Sequence, residues 1–156
     1  MGLTPSRRRR SLVCPSSDRK TVLVVEDDAG LRDVMRVILE DTGYRFEGAE
    51  HGLAALEKIH TRRPDLVILD LYLPRMRGVE FLHNLRAGAD TRDVPVIVMT
   101  GASRSLCPAD LGVAACLEKP FHLDDLLWHV NDLVAMPRQV PLAAQEPGQR
   151  DRGATA

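Results

Sequence analysis

Apolar residues along the chain fall into two alternating rhythms. Short uninterrupted runs occur at Val22-Leu23-Val24-Val25, Leu66-Val67-Ile68-Leu69 and Val96-Ile97-Val98-Met99, with a weaker one from Val113 to Leu117. Runs of this length, rich in β-branched residues, suit strands covered on both faces. Tyr44 to Ala49 is less apolar and fits an outer strand. Between the runs the rhythm lengthens. Leu31, Val34, Met35, Ile38 and Leu39 follow the i, i+3, i+4, i+7, i+8 spacing of a helix that buries one stripe, and Gly43 stops it. Leu53, Leu56 and Ile59 predict a second helix, ended before Pro64. Val79, Leu82 and Leu85 predict a third, with Gly88 just past its end, and Leu123, Leu126, Leu127, Val130 and Val134 predict the last. Such alternation predicts an α/β fold: a doubly wound parallel sheet with right-handed crossovers and helices on both faces. Ligands of such sheets sit beyond the carboxyl ends of the strands, near the reversal in strand order.

The flanks lack this rhythm. Residues 1–19 hold the run Arg7-Arg8-Arg9-Arg10 among serines and prolines and are expected to be a flexible basic leader. Residues 137–156 hold Pro137, Pro141, Pro147, Gly148 and Gly153 and are expected to be a disordered tail. One domain, residues 20–136, is expected between them. The net charge of -1 supplies no basic field for nucleic acid, and no apolar run is long enough to cross a bilayer. Neither nucleic acid nor membrane is therefore an expected partner. Cys14, Cys107 and Cys116 form no CxxC pair and are odd in number, which points to reduced thiols and a cytoplasmic protein. His51, His60, His83, His122 and His129 show no metal-ligand spacing.

The candidate chemistry lies in the residues that end the strands. Glu26-Asp27-Asp28 follows the first, Asp70 ends the third, Thr100 the fourth, and Glu118-Lys119-Pro120 the fifth. Carboxylates brought close together repel one another and raise each other's pKa, a penalty that a hard cation removes. Mg²⁺ suits such a site, since it takes oxygen ligands and is held by one or two carboxylates plus waters. A carboxylate beside it can act as a nucleophile toward a phosphoryl group. Lys119 supplies a mobile positive group and Thr100 a hydroxyl donor. Each residue alone has a plainer reading. Asp28 fits a helix cap, Thr100 a strand-end hydroxyl, Lys119 a solvated lysine and Pro120 a helix-start proline. The joint placement carries the functional reading.

These residues resemble the receiver domain of two-component response regulators. The resemblance rests on Val24-Val25-Glu26-Asp27-Asp28, on Asp70-Leu71-Tyr72-Leu73-Pro74-Arg75-Met76-Arg77-Gly78, on Met99-Thr100-Gly101 and on Lys119-Pro120-Phe121. It implies a flavodoxin-like (β/α)5 fold in which Asp70 is the phosphoacceptor. Asp27 would ligate Mg²⁺ directly, Glu26 through water, and Tyr72 through its backbone carbonyl. Thr100 would move toward the phosphoryl group and Lys119 would pair with it, and the bond before Pro120 would be cis. The phosphoryl group would come from a sensor histidine kinase or a phosphotransfer protein. The resemblance thus implies a switch rather than an enzyme, signalling to a downstream protein.

Two features depart from the family pattern. Cys116 stands where an aromatic ring usually reports phosphorylation. The stretch from Thr100 to Lys119 is shorter than usual, so the helix between the fourth and fifth strands should be short. Trp128 lies off the stripe of Leu123, Leu127, Val130 and Val134, either as a partner contact or packed on the tail or a nearby loop. A haloacid-dehalogenase-type phosphatase would need a second Asp two residues after Asp70, where Tyr72 stands. A nucleotide or flavin binder would need a Gly-rich loop after the first strand. No helix-turn-helix pattern occurs in the tail, so a single-domain regulator is expected. The alternative is a degenerate receiver acting as a phosphorylation-independent interaction module.

Overall fold

The computed structural model describes residues 19–101 and 112–135. Five strands, β1 (Thr21–Val25), β2 (Arg45–Ala49), β3 (Leu66–Asp70), β4 (Val96–Thr100) and β5 (Ala115–Glu118), form one parallel sheet in the order β2-β1-β3-β4-β5. Four helices are described: α1 (Ala29–Asp41), α2 (Gly52–Thr61), α3 (Gly78–Ala87) and α4 (Leu123–Ala135). The short helix expected between β4 and β5, the tail and nearly all of the leader lie outside the described residues.

The expected doubly wound sheet is what forms. Every residue of β1, β3 and β4 is buried, whereas β2 and β5, at the edges, are only partly so. Residues alternate between two cores, as the pleat requires. Leu23 and Val25 join Val67, Leu69, Val96 and Val98 beneath Ala55, Ile59, Phe81, Leu82 and Leu85, on the α2 and α3 side. Val22 and Val24 join Leu66, Ile68, Ile97 and Met99 beneath Met35, Leu39, Leu126 and Val130, on the α1 and α4 side. At about 25 cal/mol per Å² of apolar surface removed from water, these two layers are the main stabilising term.

Three residues assigned to the buried stripes instead face solvent: Val34, Leu53 and Val79. The buried residues are Met35 and Leu39 in α1, and Gly78, Phe81, Leu82 and Leu85 in α3. In α2 the buried positions are Gly52, Ala55 and Ile59, because the Met76 side chain packs against Gly52. A Cβ on Gly52 would meet the Met76 sulfur at 2.7 Å.

Strand order reverses at β1, which lies between β2 and β3, the two strands that follow it in the chain. The crevice at the carboxyl ends of β1 and β3 is therefore where a ligand site belongs.

Candidate functional site

The candidate residues sit at or just past the ends of the strands, where ladder bonds continue the sheet. The Glu26 N–H donates to the Ala49 carbonyl at 3.0 Å, the Leu71 N–H to Met99 at 3.2 Å, and the Lys119 N–H to Thr100 at 2.7 Å. Asp70 is the last residue of β3 and pairs in register with Met99, next to Thr100. Glu26, Asp70, Thr100 and Lys119 are thus anchored by the sheet, whereas Asp27 lies in the turn after β1.

Glu26, Asp27 and Asp70 offer carboxylate oxygens that all lie within 4.8 Å of one another. Glu26 and Asp70 are buried and Asp27 is exposed. The Lys119 ammonium lies between the buried pair, 2.7 Å from Glu26 Oε2 and 2.7 Å from Asp70 Oδ2. The other oxygens are also held. Glu26 Oε1 accepts the Asp28 N–H at 3.2 Å, and Asp70 Oδ1 accepts the Tyr72 N–H at 2.8 Å.

Burial drives the Glu26 carboxyl above its ordinary range. It outweighs the hydrogen bonds from Lys119 and Asp28, and the Asp70 charge adds to it. Burial alone would lower the Lys119 pKa. The hydrogen bonds and charges of Asp70 and Glu26 outweigh it, so the ammonium is raised and stays charged. The donor set, three carboxylates with an exposed one at the mouth, fits a hard divalent cation. The ammonium drawn in between two buried acids shows that positive charge is what this notch needs.

Asp28 belongs elsewhere: its carboxylate caps α1 by accepting the Leu31 N–H at 3.0 Å. That leaves Glu26 and Asp27 as the acids of this turn in the cluster. Thr100 is buried at the end of β4. The Tyr72 side chain is exposed. The Lys119–Pro120 bond is cis. Trp128 is 64% exposed, its ring edge-on to His129 at 4.9 Å. Cys116 is partly buried on β5 opposite Val98, and its sulfur is disulfide-bonded, contrary to the expectation of reduced cysteines.

Two features of the site were missed from sequence. Gly78 packs against the carboxyl end of β3, where a Cβ would lie 2.6 Å from the Asp70 carbonyl oxygen. Arg32 turns back from α1, and its Nη1 donates to the backbone carbonyls of Glu26 at 2.6 Å and Asp27 at 2.9 Å. The resemblance covers Gly78 without assigning it a role, and Arg32 belongs to no motif, so neither role has a local signal in the sequence.

Residues 22–131 match the family model of the response regulator receiver domain. The chain belongs to that family: it contains the receiver domain of a two-component response regulator. It is 38% identical over 116 residues to the response regulator MprA of Mycobacterium sp. (strain KMS), covering 72% of this chain and 50% of the relative. The chain therefore spans about half the length of the curated relatives it matches. Among solved structures it resembles the chemotaxis response regulator CheY4 of Vibrio cholerae, with 29% identity and a TM-score of 0.69, covering 74% of this chain and 98% of that one. It also resembles the receiver domain of the sensor histidine kinase PA1611 from Pseudomonas aeruginosa PAO1. There the identity is 25% and the TM-score 0.68 over 76% and 99% of the two chains, and a magnesium ion is coordinated in that domain's active site cleft. Among the described residues, no helix is long and apolar enough to cross a membrane.

Proposed function

We propose that Asp70 accepts a phosphoryl group from the phosphohistidine of a sensor histidine kinase or phosphotransfer protein, in a Mg²⁺-dependent reaction within the cytoplasm. The observation that carries this reading is the cluster of Glu26, Asp27 and Asp70 with the Lys119 ammonium drawn onto its two buried members. Glu26, Asp27, Asp70 and the Tyr72 carbonyl would hold the ion. Bound there, Mg²⁺ would supply the positive charge that a carboxylate needs to meet an anionic phosphoryl group.

The chain's own residues do the rest. The Tyr72 N–H fixes one oxygen of Asp70, so the Oδ2 side is the one aimed into the notch. An Asp70 oxygen attacks phosphorus, an acyl O–P bond forms, and the P–N bond breaks with its electrons leaving on the donor imidazole. Lys119 already touches Asp70 and has only to follow the incoming oxygen, balancing its charge. Thr100 supplies a hydroxyl donor from the end of β4. Hydrolysis of the acyl phosphate resets the switch, and the two states are read by a downstream protein.

Incubation with Mg²⁺ and a small phosphodonor, followed by intact mass, tests this. Wild type is expected to gain one phosphoryl group and Asp70→Asn none, and chelation of Mg²⁺ should abolish the gain. No gain in wild type at high donor concentration would instead favour a phosphorylation-independent interaction module.

A further inference from the structure

We infer that Arg32 is a positioning residue for the metal-binding turn, an inference that rests on the phosphoacceptor reading above. The turn from Glu26 to Asp28 carries two of the three clustered acids, and one of them, Asp27, is exposed and projects from a loop. An exposed carboxylate has rotamer and backbone freedom to lose when a cation binds, and that loss subtracts from affinity. The structure removes much of this freedom in advance. The Glu26 N–H is tied to Ala49, and the Asp28 carboxylate is tied to Leu31. Between these ties, Arg32 Nη1 holds two successive carbonyls, those of Glu26 and Asp27. Fixing both peptide planes fixes the direction in which the Asp27 side chain leaves the backbone.

The choice of partners is informative. A guanidinium beside acidic residues would ordinarily form a forked ion pair with a carboxylate. Among the described residues Arg32 forms no salt bridge, and it bonds main-chain oxygens instead. The acids are thereby left free of it. Its stem passes over Gly48 of β2, where a Cβ would lie 3.7 Å from Arg32 Cδ, so the half-buried side chain is guided back to the turn.

Arg32 also brings a positive charge close to a cation site. Positioning and repulsion act in opposite directions on Mg²⁺ affinity, so the sign of one measurement separates them. Mg²⁺ titration by calorimetry on the full chain, without any phosphodonor, is the test. Arg32→Met is expected to raise the Kd for Mg²⁺ by about tenfold, the usual effect of removing a support behind a metal ligand. Arg32→Lys keeps the charge but cannot bridge both carbonyls, so its Kd should also rise, by less. An unchanged or tighter Kd in Arg32→Met, with wild type binding normally, overturns the inference alone. Absence of Mg²⁺ uptake by wild type overturns the phosphoacceptor reading and this inference together. If Arg32→Met melts below the assay temperature, the Arg32→Lys value decides, since an unchanged Kd there also overturns it.

Discussion

Lys119 is the residue on which the electrostatics of the notch turn. Its single positive charge is shared between Glu26 and Asp70, both buried, at 2.7 Å each. Removing one partner of a buried ion pair leaves an uncompensated charge and costs about 3 kcal/mol. Lys119→Met should therefore lower the melting temperature at neutral pH, and added Mg²⁺ should recover more of that loss than it adds to wild type. Because the folded Lys119 pKa is raised, its contribution is complete below the ordinary value of 10.5 and is lost only as pH climbs through the higher folded value. Glu26 has the opposite consequence for the ion. Burial raises its carboxyl, so the protonated form is favoured in the fold and that contribution fades as pH rises through the folded value. Mg²⁺ needs the carboxylate. Calorimetric Mg²⁺ affinity should thus begin to weaken while pH is still above 4.5, the ordinary glutamate value, as solutions are taken down from neutrality. An affinity that is flat until well below that value would contradict the burial effect.

The elements matter because each delivers a side chain to the rim. The first turn of α1 is closed by the Asp28 cap, and α3 begins so close to β3 that only Gly78 fits. A Cβ at position 78 would lie 2.6 Å from the Asp70 carbonyl oxygen and 2.7 Å from the Leu71 Cα, both backbone atoms that cannot swing aside. Gly78→Ala should cost about 2 kcal/mol, within the usual range for overpacking. It should also cut the rate of phosphoryl gain, since relief requires moving the strand end that carries Asp70. Asp28→Ala removes only the helix cap and should cost about 1 kcal/mol. Thermal melts and intact-mass time courses on the two variants separate these effects. A normal phosphorylation rate in Gly78→Ala would show that α3 does not constrain the acceptor. The strands themselves were legible because β1, β3 and β4 are buried on both faces and so read as unbroken apolar runs. The acids that follow such runs stood out for the same reason. Arg32 and Gly78 did not, because their roles depend on backbone atoms brought near by the fold. The exposure of Val34, Leu53 and Val79 was hidden as well, since periodicity fixes a stripe but not how far the helix rotates against its neighbours.

At the scale of the molecule, the sheet order makes β1 and β3 neighbours, and this brings residues as far apart in sequence as Glu26, Asp70 and Lys119 into one notch. The fold and the acid cluster could be read from sequence because strand ends must meet at one rim in a parallel sheet. The disulfide at Cys116 could not, since an odd count of cysteines with no paired motif gives no pairing signal. A cation that binds the folded rim and not the unfolded chain stabilises the whole domain by mass action. Mg²⁺ at a hundredfold excess over its Kd should add about 2.7 kcal/mol, seen as a higher melting temperature that a chelator reverses. No shift with Mg²⁺ would mean that the notch does not hold it. The most direct measurement of the central claim locates the modification itself. After exposure to Mg²⁺ and a small phosphodonor, borohydride reduction converts an acyl phosphate to the corresponding alcohol, and peptide mass spectrometry reads the position. The account predicts reduction at Asp70 alone, and modification at any other residue, or at none, would contradict it.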